Sequence, residues 1–283
     1  MRYLKIIKEQ KHPFKFLIGK CLMLIGLCKL FSIKREHYTL KFYNSALSLA
    51  LWVDPACRSS TENFYRDYLK VGDVVIDIGS NIGSTVLEAS RCVGMTGKIY
   101  AFEPHPSTFR KLIGNLQGNR VTNVTPHNIA LSDMNKRVVF SNLNTDDQNK
   151  LLDSGKGVLV RASTLDALRL PEKNIAVVKI DVEGCEKRVL EGMKNTLALA
   201  QCVYFESYEK HYKNFGYSFV DIYNLFQEYG YRVFKFLERK KLIELSSHYH
   251  SASCENLIAV RNIDEFLNKT FFEVEKNLMR EAV

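Results

Sequence analysis

From Val71 onward, short unbroken apolar runs alternate with stretches in which apolar residues recur every three or four positions. The runs predict strands at Val74–Ile78, Lys98–Phe102, Val124–Leu131, Ala176–Ile180 and Cys202–Phe205. The spaced stretches predict helices over 84–93, 107–116, 185–199 and 219–229. Tyr231–Phe236 and Asn256–Val260 are two further strands with no helix between them, so they are expected to pair antiparallel. Unbroken apolar strands separated by helices mean a parallel sheet covered on both faces. The predicted class is therefore α/β, with a mostly parallel seven-stranded sheet that ends in an antiparallel hairpin. Arg137–Phe140 and Val158–Arg161 add two short strands around a polar loop at 142–156.

The first residues follow a different pattern. Phe14, Leu17, Ile18, Cys21, Leu24, Ile25, Cys28 and Phe31 fall at helical spacing. Residues 1–41 hold ten Lys and Arg against Glu9 and Glu36, which is +8 of the chain's +9. Residues 1–60 are read as a basic, partly amphipathic helical extension, and 61–283 as the main domain. The extension is either a solvated helix or a segment lying on a membrane surface, with its lysines at anionic headgroups. Lys15, Lys20 and Lys29 interrupt the apolar run, which makes it a poor transmembrane helix. No small-residue cleavage site follows it, which makes it a poor signal peptide. The seven cysteines include no C-x-x-C pair and read as reduced thiols of a cytoplasmic protein. With only +1 left outside residues 1–41, the main domain lacks the basic cleft of a nucleic-acid enzyme.

The most specific local signal is Asp77-Ile-Gly-Ser-Asn-Ile-Gly83, which follows a strand and opens a helix. Gly79 permits a sharp turn and a close approach of ligand to backbone, and Gly83 permits tight packing at the helix start. Helix N-terminal N–H groups, beside Ser80 and Asn81, are expected to face the ligand. The spacing lacks the extra glycine with which dinucleotide enzymes admit a pyrophosphate. The amino-acid part of S-adenosylmethionine does not require it, and Asp77 would face its ammonium directly or through water. Glu103 ends the second strand, 20 residues after Gly83, where a carboxylate accepts from both ribose hydroxyls of a nucleoside.

A second constellation is Lys179-Ile-Asp-Val-Glu-Gly184, at the end of the fourth strand. Ligands bind at that edge of an open parallel sheet. A lysine inside an apolar strand is costly unless paired, and Glu206, ending the neighbouring strand, is the expected partner. Asp181, Glu183 and Glu206 are candidate catalytic carboxylates, with His211 just beyond. Asp181 and Glu183 could instead cap the following helix, a role that suits Glu186 better. His248, His250 and Cys254 lack a second ligand pair and read as a hairpin loop. His105 reads as a surface loop residue, and Cys185 as an apolar filler.

Together these pieces resemble the FkbM-type methyltransferases. The resemblance rests on Asp77 to Gly83, Phe102-Glu-Pro104, Asn128-Ile-Ala-Leu-Ser-Asp133, Thr164-Leu-Asp166, Lys179 to Gly184 with Glu186, and Glu255-Asn-Leu-Ile258, and covers about 60–262. It implies a Rossmann-like class I methyltransferase fold, S-adenosylmethionine as donor, and a hydroxyl acceptor on a sugar, glycan or related metabolite. The carried-over cofactor residues are Asp77, Gly79, Ser80, Asn81, Gly83, Glu103, Ala130 and Asp181. In-line displacement needs an aligned acceptor, and a neutral hydroxyl needs a base. The acids of the strand-four turn are the favoured bases, with Glu206, His211 and Lys179 in support. A carboxylate-held divalent metal is the alternative, but these acids could serve without one, so no metal is assigned. A nicotinamide-dependent dehydrogenase and an inactive methyltransferase-like binding module are the competing functions.

Overall fold

The computed structural model describes residues 10–142, 149–152 and 156–275. Part of the polar loop expected at 142–156, the first nine residues and 276–283 therefore lie outside the described residues.

The amino-terminal part is more than a helix. Helix α1 (Pro13–Leu24) precedes a small antiparallel hairpin, β1 (Ser32–Lys34) and β2 (Thr39–Lys41), and then α2 (Ala46–Val53). The helical run expected to reach Phe31 stops at Leu24, because Gly26 turns the chain at φ +73°. Cys28 consequently points inward and is buried. Ser45 caps α2 by accepting from the Ser48 N–H. The boundary expected after residue 60 falls at the first residue of α3 (Ser60–Tyr68). Side chains on both sides of it share one core: Phe16, Leu40, Phe42, Leu49 and Leu51 pack in the same cluster as Phe64, Val75 and Val86.

The main sheet then builds through β3 (Val74–Ile78), α4 (Ser84–Val93), β4 (Lys98–Phe102), α5 (Pro106–Gly118) and β5 (Val124–His127). A separate four-stranded sheet follows, from β6 (Ala130–Leu131), β7 (Lys136–Phe140), β8 (Leu151–Leu152) and β9 (Val158–Ser163). The chain returns through β10 (Ile175–Ile180), the short helices α6 (Glu186–Glu191) and α7 (Lys194–Leu197), and β11 (Ala200–Ser207). It ends with α8 (Glu209–Lys213), α9 (Phe219–Glu228), β12 (Arg232–Phe236), β13 (Lys241–Glu244), β14 (Glu255–Val260), α10 (Ile263–Lys269) and β15 (Glu273–Glu275).

The main sheet has nine strands, in the order β15-β13-β12-β14-β11-β10-β3-β4-β5. All seven predicted strands are in it, and the expected α/β class holds. One difference has a local cause. The run Val124–Leu131 splits, because Asn128 donates its side-chain N–H groups to the Glu103 and Pro104 carbonyls and turns the chain out of the sheet. β12 and β14 pair antiparallel as expected. β14 also pairs antiparallel with β11 and so lies between the two, and a strand not expected, β13, forms the sequence-local hairpin with β12. β13 escaped notice because it is short and begins in a run of charged residues.

Side chains alternate between the two faces of the sheet. Val75, Val177, Cys202 and Tyr204 enter the core that includes the amino-terminal helices. Ile76, Ile78, Val178, Ile180, Val203 and Phe205 enter the opposite core, over Val189, Phe219 and Phe226. Asp77 and Lys179 share the parity of Val75 and Val177, and the parallel register sets them side by side.

One buried amide joins the amino-terminal hairpin to the glycine turn. Asn115 on α5 donates to the Ile82 carbonyl at 2.8 Å and accepts the Lys41 N–H at 2.9 Å. Asn115→Ala leaves both backbone groups unpaired in the interior. We expect a loss of about 1–3 kcal/mol, read as a lower urea midpoint at unchanged slope. An unchanged midpoint would mean that neither bond contributes.

Candidate active site

The loop after β3 is closed by its own backbone. The Gly79 and Ser80 N–H groups both donate to the Phe102 carbonyl at 3.0 Å. The Asn81 N–H donates to Glu103 at 3.0 Å, and the Ser80 hydroxyl donates to the Asp77 carbonyl. These bonds fold the turn back onto β4; the N–H groups expected to face a ligand are those of the helix that opens at Ser84. Gly79, at φ +83°, is required for a different close approach than expected: an added Cβ would run into the Asp181 carbonyl oxygen. At Gly83 an added Cβ would meet Leu112 of α5, in line with the packing role inferred from sequence.

Asp77 is fully buried beneath the turn. One oxygen accepts from the Thr85 hydroxyl at 2.7 Å, and the other lies 3.9 Å from the Lys179 ammonium. Lys179 also meets Asp181 at 3.2 Å and points at the Gly79 carbonyl at 3.5 Å. Its nearest partners are thus Asp181 and Asp77, not Glu206 as expected, because the strand register places Asp77 directly alongside. Burial opposes the lysine's charge, but Asp181 and Asp77 outweigh it and hold its pKa above the ordinary value.

A cavity of about 730 Å³ opens above this pair. Gly79, Ser80, Asn81, Glu103, Ala130 and Asp181 line it, all of them expected cofactor residues. Glu103 is held by the N–H groups of Asn81 and His105, at 3.0 and 2.8 Å. His105, expected on the surface, is buried and caps α5. Asn81 presents a buried side-chain oxygen with no partner among the described residues.

The far wall carries Lys179, Glu183, Glu206 and His211, the remaining candidates. Glu183 stands at φ +55° in the turn after β10. Glu186 braces that turn by accepting from the Val182 and Gly184 N–H groups at 3.2 and 3.3 Å. Burial pushes the Glu186 carboxyl up to about 7, against the opposing pull of those bonds. Glu206 is pushed up to about 9 by burial and by the nearby Asp181, Glu183 and Glu186. It is therefore protonated at neutral pH, with the Cys254 thiol 2.8 Å from one of its oxygens. Nδ1 of His211 is buried without a hydrogen bond, 3.5 Å from Glu183 and 4.0 Å from Glu206. Burial, then Lys150 and Lys210, hold its pKa below the ordinary imidazole value, which favours the neutral ring. One ligand atom from each of Glu183, Glu206 and His211 lies within 4.8 Å of the others, a donor set able to hold a divalent cation.

Sequence reasoning missed several lining residues. Leu47, Leu51, Arg58, Ser60 and Thr61 come from the amino-terminal part, and Cys254 from the loop before β14. Cys254 had a signal, since it precedes the recognisable Glu255-Asn-Leu-Ile258 string; the others had none.

Residues 77–233 match the sequence profile of the Methyltransferase FkbM domain, which is more than half of the chain. The chain belongs to the FkbM methyltransferase family. Its methyl donor is S-adenosylmethionine, and the cavity holds acceptors that would suit its hydroxyls and ammonium: the carboxylates of Glu103 and Asp181 line it, and the buried Asn81 oxygen has no partner among the described residues. A curated relative, the hexuronic acid methyltransferase AglP of Haloferax volcanii, is 34% identical over 140 residues. That match takes in 47% of this chain and 55% of AglP, so the chain spans about half the length of this relative. Among solved structures, the chain is similar to a SAM dependent methyltransferase from Aquifex aeolicus, with a TM-score of 0.41 and 14% identity over 72% of this chain and 94% of that one. It is similar also to an rRNA methylase from Streptococcus thermophilus, with a TM-score of 0.42 and 10% identity over 71% and 93%. Likeness at this level says nothing of the reaction.

Removing one member of a buried ion pair strands the other. Lys179→Met should therefore cost this FkbM methyltransferase about 3–5 kcal/mol of stability. Adding Asp77→Asn should restore much of that loss. A double variant as unstable as the single one would show that the Asp77 charge is not what the lysine balances.

Proposed function

We propose that this FkbM methyltransferase methylates a hydroxyl of an acidic sugar or glycan. The carrying observation is a neutral histidine on the wall of the cofactor cavity, backed by a carboxylate. Bound S-adenosylmethionine supplies the electrophilic methyl group. The protein's own tasks are to hold the acceptor oxygen and to take its proton.

A proton on Nδ1 of His211, facing Glu183, leaves Nε2 as the basic atom. Glu183 then steadies the imidazolium that forms, the role of the carboxylate in other acid–histidine pairs. Asp181 is a weaker candidate for the base than its position in the sequence suggested, because its carboxylate is engaged by Lys179. Protonated Glu206 is a hydrogen-bond donor toward the acceptor rather than a base.

Arg58 and Lys150 both line the cavity, and a sugar carboxylate would find complementary charge there. The action of AglP on a hexuronic acid supports the same acceptor class. The motif positions of the strand-four turn support O-methylation over the competing functions considered from sequence.

Two measurements test the proposal. If His211 is the base, kcat should rise with pH through a midpoint below the ordinary imidazole value and then level off, since only the neutral ring accepts a proton. His211→Asn should lower kcat by about a hundredfold and abolish that acid limb, with cofactor affinity retained; a variant of near-normal kcat places the base elsewhere. Offered glucuronoside and glucoside acceptors, the enzyme should favour the acidic one about tenfold or more in kcat/KM, the worth of one partly screened charge contact. Arg58→Ala combined with Lys150→Ala should erase the preference. Equal use of both sugars by the wild-type enzyme rejects the acidic acceptor.

A further inference from the structure

Helix α1 is apolar on both sides. Phe16 and Gly19 are buried and Met23 packs against the core. Gly19 sits so close to Leu49 and Trp52 that a Cβ there would collide with both. At 3.6 residues per turn, Phe14, Leu17, Cys21 and Leu24 fall on the opposite side, with Ile18 beside them. That side faces outward: Phe14 is 83% exposed, Ile18 56% and Leu24 87%. The chain beyond the helix continues the surface, with Ile25, Leu27, Leu30 and Phe31 also exposed. Eight of the thirteen large exposed hydrophobic residues among those described fall between 14 and 31. A helix on a water-facing surface would carry polar residues there, and apolar patches of this kind mark a binding surface.

The charge of the same stretch identifies the partner. No Asp or Glu occurs between residues 10 and 35, whereas Lys11, Lys15, Lys20, Lys29 and Lys34 do. Lys15 and Lys20 flank the outward face, their ammonium groups over the rings of Trp52 and Phe16 at 5.3 and 5.8 Å. Lys29 and Lys34 are exposed. An apolar face rimmed by lysines alone matches the interfacial region of an anionic bilayer, with acyl chains beneath and phosphates at the rim. No helix among the described residues is long and apolar enough to cross a membrane, so the contact would lie in the surface plane.

We propose that Pro13–Lys34 is a docking surface for an anionic phospholipid bilayer. The helix that α1 packs against, α2, contributes Leu47 and Leu51 to the wall of the cofactor cavity. Docking thus holds that cavity close to the membrane, where a lipid-linked glycan is the acceptor within reach. This last step rests on the glycan reading above; the docking itself does not.

The test is co-sedimentation of the full chain with vesicles of phosphatidylglycerol and phosphatidylcholine, with neither methyl donor nor acceptor present. Binding to the mixed vesicles should be at least tenfold tighter than to phosphatidylcholine alone. It should weaken severalfold between 0.05 and 0.5 M salt, as expected when ions screen charges over about 10 Å and less. Leu24→Glu combined with Leu30→Glu should abolish it, while the circular dichroism spectrum and S-adenosylmethionine affinity stay as in the wild type. Failure of the folded full chain to bind, or undiminished binding by the double variant, overturns the proposal. So does light scattering that shows a dimer for the wild type and a monomer for the double variant, because the apolar face would then be covered by a second copy. S-adenosylmethionine affinity and methyl transfer to a soluble acceptor stand apart from all these outcomes, so loss of docking and loss of the enzymatic reading are separable.

Discussion

The ammonium of Lys179 sits where a charge is most expensive, in the middle of a nine-stranded sheet. It is tolerated because the parallel register brings Asp77 alongside and the strand's own turn brings Asp181 back over it. That arrangement ties the turns after β3 and β10 together. The Gly79 carbonyl leans toward the same ammonium, and Gly79 has no Cβ to keep the Asp181 carbonyl away. The turn that shapes the cofactor wall and the turn that carries Glu183 are therefore one assembly. A shift of either would leave a buried charge without its partner, which is the costliest outcome available to a protein interior.

Negative charge accumulates on the other side of that assembly, and the protein manages it by protonation rather than by pairing. Asp181 is held by Lys179, while Glu186 is driven toward its neutral form by burial and by Asp181, and Glu206 by burial and by Asp181, Glu183 and Glu186. Burial, then Lys150 and Lys210, hold the pKa of His211 below its ordinary value even among these acids. A crowd of this kind costs stability. Such costs are retained where a site needs groups poised to exchange protons near neutral pH.

The amino-terminal segment changes what the domain is. Its helices share the core of the sheet, and its side chains complete the cavity with Leu47, Leu51, Arg58, Ser60 and Thr61. The family match begins only at residue 77. The cavity is thus lined both by residues within the family match and by residues that precede it.

The sequence by itself determined the strand count of the parallel centre, the class, the glycine turn and the family, because each depends on short-range pattern. Apolar runs, turn glycines and a carboxylate at a strand end carry their meaning within a few residues. Only the tertiary structure decided how those pieces are used. Nothing local shows that the N–H groups of the glycine turn are spent on Phe102 and Glu103, that Lys179 chooses Asp77 over Glu206, or that Cys254 reaches Glu206 from 48 residues away. The insertion of β14 between β11 and β12 is likewise a long-range choice. Pairing register and charge balance are settled by contacts between distant segments, and periodicity along the chain holds no record of them.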